Sequence, residues 1–305
     1  MSEKASFYSR PILVTGAAGN LGSVGQTLTK VLLQQGQTVR AMVHREDARA
    51  QSLRDLGAEV VCGDLTSLDD MNRIIKGCGA IFFSMSVSPS YLNATTNVAA
   101  VAKHLGVDAL INVSQMTVAQ MSSTTTTDSP QQKLHWLCEQ VLNWSGLPVI
   151  HLRPTVFMDG FFFKFSAEDI KRHDELRLPF ANGMTSPIAA SDVALAAAAI
   201  LRDPQAHVER IYQLTGPHLG DLAFYADEYS KVLGRKITYR DMDLDTWRQS
   251  MASEGIDAHT LNHLTTMVRL HRVGRYARMT DDFRKLTGHE PTSFQDFVRF
   301  HQTWL

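Results

Sequence analysis

Six short apolar runs alternate with helical patterns over the first half of the chain, and this alternation most constrains the fold. The runs cover residues 11–15, 38–43, 59–62, 80–84, 109–114 and 148–153. Between them, apolar residues recur at helical spacing. Parallel strands need crossover connections, and helices in those connections cover both faces of the sheet. The sequence therefore predicts an α/β fold built on a doubly wound parallel sheet.

The pattern changes after Pro154. The remaining segments favour helices, with short strands over 210–216 and 236–242, and a helix within 186–203 that is capped by Ser191 or Asp192. We predict a dinucleotide-binding domain over residues 1–155. A smaller mixed, mostly helical C-terminal substrate lobe over 156–305 is expected to be interleaved with it rather than independent.

Composition narrows the possible partners. The 30 Lys and Arg residues balance 31 Asp and Glu residues, which argues against a nucleic-acid binder. Cys62, Cys78 and Cys138 are widely spaced, so neither a disulfide framework nor a metal site is expected. The N-terminal residues lack the apolar run of a signal peptide, and no apolar run reaches membrane-spanning length. We expect a cytoplasmic protein, monomeric or homodimeric, that binds neither nucleic acid nor membrane.

The stretch TGAAGNLG, residues 15–22, follows the first apolar run. Its first glycine permits a tight turn, its second lets the backbone approach a pyrophosphate, and its third allows close packing of helix on sheet. A glycine-rich turn without a ligand is the alternative. Together with the alternating pattern, this loop predicts a Rossmann fold that binds a dinucleotide. The predicted contacts are Gly16, Ala18, Gly19, Asn20, Leu21 and Gly22.

The end of the second strand distinguishes the two dinucleotides. A carboxylate there holds the ribose 2′-hydroxyl of NAD, whereas an arginine accommodates the 2′-phosphate of NADP. Here His44 and Arg45 follow the strand, with Arg40 and Arg49 nearby and no acid before Glu46. We predict NADP(H), with Arg45 as the main phosphate contact and His44 assisting. NAD(H) is the alternative cofactor, and a solvated, charged helix start is the alternative structural explanation.

Residues after the later strands complete the predicted cofactor site. Asp64 and Leu65 follow the third strand, where the adenine would lie, although Asp64 could instead cap the next helix. The predicted contacts after strands four to six are Ser84, Met85, Ser114, Arg153 and Pro154.

Several ordered stretches resemble the NmrA-like family of atypical short-chain dehydrogenases/reductases across nearly the whole chain. They are TGAAGNLG, GAEVVCGDLTSLDDM, HWLCEQVLNWSGLPVIHLRPTVFMDGF and SPIAASDVA. The resemblance implies either an NADPH-dependent reductase of quinones, dyes or phenylpropanoids, or a protein that binds the dinucleotide without turnover. Typical short-chain dehydrogenases use Tyr-x-x-x-Lys, but no tyrosine in this chain has a lysine four positions later.

The stretch KLHWLCEQVL, residues 133–142, falls where the resemblance would put Tyr-x-x-x-Lys. His135 and Glu139 have the same four-residue spacing on the predicted helix. We predict that His135 donates a proton to the reduced substrate while Glu139 orients its imidazole. Lys133 is a second candidate proton donor. The alternative is a His135–Glu139 pair at the rim of the cleft with no part in turnover.

A methionine follows each of strands four, five and six: Met85, Met116 and Met158. Such polarizable side chains suit a flat aromatic substrate, and Phe157 and the run over 160–165 could add walls. Core packing is the alternative for both sets. The polar loop over 119–130 is either a lid or a solvated connector. The arginine-rich run over 269–278 is either a solvated helix face or a partner surface.

These features predict an NADPH-dependent oxidoreductase that reduces a quinone-like or aromatic, conjugated small molecule by hydride transfer. The alternative is a non-catalytic NADP(H)-binding redox sensor that acts through a regulatory protein partner. The absent Tyr-x-x-x-Lys motif favours the sensor, whereas His135 and the methionines favour the reductase.

Overall fold

The computed structural model describes residues 9–19 and 24–305. In this part of the chain, seven strands form one sheet in the order β3-β2-β1-β4-β5-β6-β8, and β7 pairs with β9 in a second sheet. The strands are β1 Ile12–Val14, β2 Val39–Val43, β3 Glu59–Cys62, β4 Ala80–Phe83, β5 Ala109–Val113, β6 Val149–Pro154, β7 Glu175–Leu178, β8 Ile211–Leu214 and β9 Thr238–Asp241.

The α-helices lie between and after these strands. They are α1 Val24–Gln34, α2 Ala48–Asp55, α3 Leu68–Ile75, α4 Tyr91–Leu105, α5 Pro130–Trp144, α6 Ala167–His173, α7 Ala190–Ile200, α8 Leu222–Leu233, α9 Leu244–Ser253, α10 Ala258–Arg272, α11 Asp282–Thr287 and α12 Phe294–His301. Shorter helical turns cover Met116–Gln120, Met158–Lys164, Pro204–His207 and Gln302–Trp304.

The large sheet confirms the predicted doubly wound α/β fold. The pairs from β3 through β6 are all parallel, and β1, β4 and β5 are buried along their whole length. Such full burial requires helices on both faces, which the crossover connections supply. The strand order reverses between β1 and β4, and ligands of open parallel sheets bind beyond the strand ends at such a point.

Two compact units divide the chain. Unit 1 comprises the described residues within 1–115, 133–153 and 193–212. Unit 2 comprises residues 116–132, 154–192 and 213–305. Each unit has its own hydrophobic cluster. No helix in the described part of the chain is long and apolar enough to span a membrane.

An aromatic core occupies unit 2. Phe161, Phe162 and Phe163 lie in the Met158–Lys164 turn, and all three are buried in this core. Phe162 packs edge-on against Tyr225 with ring centroids 5.0 Å apart, and against Phe294 at 5.4 Å. These three phenylalanines therefore fill the core, as the packing alternative predicted.

The start of α7 differs from the prediction. The helix begins at Ala190, so neither Ser191 nor Asp192 is its cap. The carboxylate of Asp159 instead accepts the backbone N–H of Ala190 at 2.9 Å. Asp192 is buried, and it holds Thr292 through the backbone N–H at 2.8 Å and the hydroxyl at 2.7 Å. Burial raises the pKa of Asp192 to about 6.

Candidate cofactor and active site

The turn after β1 requires glycine at residue 16. Gly16 has φ of 66°, and a Cβ atom there would lie 2.9 Å from the carbonyl oxygen of Ser84. The Thr15 hydroxyl donates to that same oxygen at 2.8 Å and accepts the N–H of Ser84 at 2.9 Å. The turn is thus fastened to the end of β4. Ala18 and Gly19 follow it, whereas the predicted contacts Asn20, Leu21 and Gly22 lie outside the described residues.

Close packing of the first helix on this turn involves a glycine that the sequence analysis missed. A Cβ atom at Gly25, in the first turn of α1, would lie 2.7 Å from the carbonyl oxygen of Gly16 and 2.9 Å from that of Thr15. No side chain larger than hydrogen fits there without moving the helix away from the loop. The available signal was a further glycine three residues after the TGAAGNLG motif.

The end of β2 carries the basic groups expected for a 2′-phosphate. His44 and Arg45 are both exposed there. Arg49 reaches back to the glycine loop, where Nη1 donates to the carbonyl oxygen of Ala18 at 3.0 Å. The Arg49 Nε also donates to Oδ2 of Asp47 at 3.0 Å. Hydrogen bonding to Arg49 lowers the pKa of Asp47 to about 2. Arg49 thus links the two loops between which the adenosine ribose of a bound dinucleotide lies.

Arg40 is engaged elsewhere in unit 1. Its Nε pairs with Glu59 at 2.9 Å. Its Nη1 donates to the carbonyl oxygens of Ile74 at 2.7 Å and Lys76 at 2.8 Å. These contacts tie β2 to β3 and to the end of α3, so Arg40 has a structural role.

The loop after β3 gives Asp64 a different role from helix capping. Its carboxylate accepts both the backbone N–H and the hydroxyl of Thr66 at 2.8 Å, and these two bonds lower the pKa of Asp64. The cap of α3 is Ser67, whose hydroxyl accepts the N–H of Asp70. Asp64 therefore closes a local turn. The predicted adenine neighbour Leu65 accepts a bond from the Asn97 amide at 3.2 Å.

Beyond β4 and β5 lie the groups expected near the ribose and nicotinamide. Ser84 and Met85 are partly buried, and Met85 packs on the core of unit 1. Ser114 is only 5% exposed, and its buried hydroxyl has no hydrogen-bond partner among the described residues. Leaving such a group unpaired is unfavourable. The Ser114 hydroxyl therefore fits a contact with a ligand.

Glu139 forms a buried ion pair with Arg153 at the end of β6. It is 1% exposed, and both of its carboxylate oxygens bind the guanidinium of Arg153 at the end of β6. The Arg153 Nε–Glu139 Oε1 distance is 2.9 Å. The sequence analysis did not predict this bidentate, buried pair. Position 139 lies on the inward face of α5 beside Cys138 and Leu142, which are also buried. Pro154 follows Arg153 and is buried as well.

His135 is partly buried in unit 1, and its ring lies against Tyr91 with centroids 4.4 Å apart. Tyr91 is itself fixed, because its hydroxyl donates to the carbonyl oxygen of Val113 at 3.1 Å. The second candidate, Lys133, is exposed. Burial raises the pKa of the Cys138 thiol to about 12, which excludes a thiolate nucleophile at neutral pH.

The substrate residues predicted in unit 2 are mostly interior. Met116 and Met158 are each 1% exposed, and Met158 belongs to the core of the unit. Phe157 is partly exposed. These burials favour packing for Met116 and Met158, and they leave Phe157 as the more accessible of the three.

The loop predicted as a lid or a connector is attached to α10. Within unit 2, Ser129 hydrogen-bonds His263 at 3.0 Å, and His259 donates to the side chain of Gln131 at 2.9 Å. The amide of Gln120 donates to the backbone of Arg275 at 3.3 Å and accepts from its guanidinium. The exposed residues of the loop are Ala119, residues 122–126 and Asp128. The arginine-rich run is thus used in part for internal contacts.

Comparison with known proteins identifies relatives along the full length. The chain is 26% identical to the NAD(P)H azoreductase of Xenophilus azovorans over 292 residues, which are 95% of this chain and 97% of the relative. The NADPH-dependent quinone oxidoreductase of Escherichia coli superposes with a TM-score of 0.82 at 22% identity, covering 95% and 99% of the two chains. These relatives agree with the predicted reductase class.

The expected NmrA-like fold is also confirmed. The negative transcriptional regulator NmrA, solved in complex with NADP, superposes with a TM-score of 0.77 at 18% identity, covering 95% of this chain and 94% of NmrA. A family model described as NAD(P)H-binding matches residues 16–204, which run from the turn after β1 to just beyond α7. The chain therefore belongs to this NAD(P)H-binding family.

Proposed function

We propose that this NAD(P)H-dependent reductase uses NADPH to reduce a quinone-like or aromatic, conjugated small molecule. The observation that carries the proposal is the set of groups after three strands of unit 1 that can bind a ligand. It comprises the Gly16 turn, the basic groups after β2, and the buried hydroxyl of Ser114 after β5. The names of the azoreductase and quinone oxidoreductase relatives support the substrate class. The free state of all three cysteines supports a cytoplasmic location.

In this proposal, the chain's own residues bind and orient, and the dinucleotide supplies the hydride when bound. The turn at Gly16 leaves room for a pyrophosphate beside the backbone. The Ser114 hydroxyl would hydrogen-bond a polar group at the nicotinamide end. His135 would hold the proton that the reduced substrate takes up, and contact with the Tyr91 ring would keep its imidazole in place.

The preference for NADPH is expected to depend on Arg45 and Arg49 together. Either Arg45→Ala or Arg49→Ala should raise the Kd of NADPH by roughly tenfold, because a hydrogen bond to a charged group contributes about 1.5–3 kcal/mol. The Kd of NADH should stay within about twofold, since NADH lacks the 2′-phosphate. Fluorescence titration with each cofactor measures both constants.

Arg54→Ala is the matched control, because Arg54 lies on α2, as Arg49 does, but pairs with Glu46. It should leave the Kd of both cofactors unchanged. Equal weakening of NADPH and NADH by the Arg45 and Arg49 variants would show that neither arginine binds the 2′-phosphate.

Turnover tests the proposed activity and the role of His135. Oxidation of NADPH would be followed with a panel of quinones and azo dyes. His135→Ala should lower kcat by about 100-fold, since a positioned proton donor contributes that order of rate. His104→Ala, an exposed histidine at the end of α4, is the control and should not change kcat. Full activity in His135→Ala would show that His135 is not the proton donor.

A redox sensor is the second candidate function. It is favoured by the absence of Tyr-x-x-x-Lys and by the use of Glu139 to bind Arg153. A sensor would bind NADP⁺ and NADPH with different affinities and pass the difference to a protein partner. Absence of turnover with every acceptor, together with such a difference in affinity, would favour the sensor over the reductase.

A further inference from the structure

The two carboxylates that follow the end of β2 are occupied by arginines of α2. Both oxygens of Glu46 accept from the Arg54 guanidinium, at 2.8 and 2.7 Å. Asp47 caps α2 by accepting the backbone N–H of Arg49 at 2.9 Å, and it also binds the guanidinium of that residue. The charges of Glu46 and Asp47 are therefore balanced by these arginines.

His44 and Arg45 directly follow β2, and both residues are exposed. Among residues 9–19 and 24–305, neither of these side chains makes a hydrogen bond or an ion pair. Basic side chains that the protein's own acids do not occupy can bind an anionic ligand such as a phosphate. The end of β2 thus presents two basic groups to solvent.

Backbone contacts place His44 between two loops of the cofactor site. On one side, the Cys62 thiol at the end of β3 donates to the carbonyl oxygen of His44 at 3.4 Å. On the other side, β2 pairs with β1, and the Arg49 guanidinium reaches the carbonyl oxygen of Ala18 in the glycine loop. The adenosine ribose of a bound dinucleotide lies between these loops, so His44 is expected beside its 2′-phosphate.

The charged and titratable groups around His44 come from four segments. They are Arg45, Glu46 and Asp47 in its own connection, Arg49 on α2, Cys62 and Asp64 at and after the end of β3, and Arg73 on α3. Arginine stays charged at any pH of interest, carboxylates ordinarily titrate near pH 4, and thiols ordinarily titrate above pH 8. Histidine is the type of side chain that changes charge between pH 6 and 8.

We propose that His44 makes the recognition of NADPH dependent on pH. The protonated imidazole binds the 2′-phosphate together with Arg45. The neutral imidazole brings no charge to that phosphate, so the preference for NADPH over NADH falls as the pH rises from 6.5 to 8.0. This inference rests on the proposed use of NADPH, and it gives His44 a role that the permanently charged Arg45 does not share.

Fluorescence titration of the full chain at pH 6.5 and pH 8.0 tests the inference without requiring turnover. The Kd of NADPH should rise about threefold between the two values, because a hydrogen bond between charged groups is lost. The Kd of NADH should stay within about 1.5-fold, since NADH has no 2′-phosphate. The second ionisation of the phosphate, near pH 6, acts in the opposite direction and is common to all variants.

Two substitutions fix the charge at position 44. His44→Arg is positive at both pH values, so the Kd of NADPH should be low at pH 6.5 and should not rise at pH 8.0. His44→Gln is neutral at both, so its Kd should be raised at pH 6.5 and again should not rise further. Both variants retain Cys62 and Asp64, so a contribution from either of those groups would persist in them.

Two further variants serve as controls. His104→Gln removes an exposed histidine at the end of α4 and should keep the threefold rise. Arg45→Ala should raise the Kd of NADPH at both pH values and also keep the rise, because Arg45 does not change its charge. Thermal unfolding and circular dichroism at both pH values check that each variant is folded.

A Kd of NADPH that rises equally in the wild type, His44→Arg and His44→Gln would overturn the inference, because another group would then be responsible. A preference for NADPH that is the same at pH 6.5 and pH 8.0 would overturn it as well and leave the proposed use of NADPH intact. No preference for NADPH over NADH at either pH would refute the proposed cofactor, and the inference would fail with it.

Discussion

Arg153→Leu is expected to destabilise the protein by about 3–5 kcal/mol, because it leaves the carboxylate of Glu139 buried without its counter-charge. Glu139 is 1% exposed and the Arg153 side chain 14% exposed, so water cannot replace the lost partner. Chemical denaturation followed by circular dichroism measures the change. The double variant Glu139→Met/Arg153→Met should recover most of the loss, since an apolar pair of similar volume removes both charges.

An exposed ion pair provides the control. Arg172 and Glu168 pair across one turn of α6, but their side chains are 69% and 66% exposed. Arg172→Leu should therefore change the denaturation midpoint little. Arg153→Leu with wild-type stability, or a double variant no better than the single one, would contradict the buried-pair account.

Gly25→Ala is expected to raise the Kd of NADPH by more than about tenfold and to lower stability by about 1–3 kcal/mol, the usual range for overpacking. In a helix with free space around the glycine, the same change stabilises the protein by about 1 kcal/mol. A loss of stability would therefore indicate a clash between the added methyl and the turn. The reason is the backbone of the turn, since the added methyl would lie 2.7 Å from the carbonyl oxygen of Gly16. Moving α1 away would distort the turn beside which the pyrophosphate is expected to bind.

Gly36→Ala separates backbone strain from this contact. Gly36 follows the C-terminal end of α1 and has φ of 76°, but a Cβ atom there would have no neighbouring atom within 4 Å. The substitution should lower stability through the left-handed backbone and leave the Kd of NADPH unchanged. Normal NADPH binding by Gly25→Ala would show that the approach of α1 to the turn does not matter for the cofactor.

The sheet was predictable because its signals are local. Each apolar run of the first half became a strand within one or two residues of the predicted bounds. Strand length, helical spacing and crossover geometry are all encoded within a few neighbouring residues. The joining of β8 to the edge of this sheet was not predicted, because the pairing of a strand depends on residues distant in sequence.

The site contacts that the sequence did not predict join residues that are distant in sequence. The four-residue spacing of His135 and Glu139 suggested a pair, but no local signal indicated that Arg153 on β6 also binds the Glu139 carboxylate. Likewise, composition could not show that Ser129 hydrogen-bonds His263, so the polar loop resembled a free connector.

The most direct test of the reductase function compares NADPH with NADPH deuterated at the transferred position of the nicotinamide. The protein should oxidise NADPH in the presence of a naphthoquinone, and deuterium should slow this oxidation, because breaking the carbon–hydrogen bond delivers the hydride. Tight binding of NADPH, with no oxidation above the rate measured without protein for any quinone or azo dye, would contradict the account and favour a sensor.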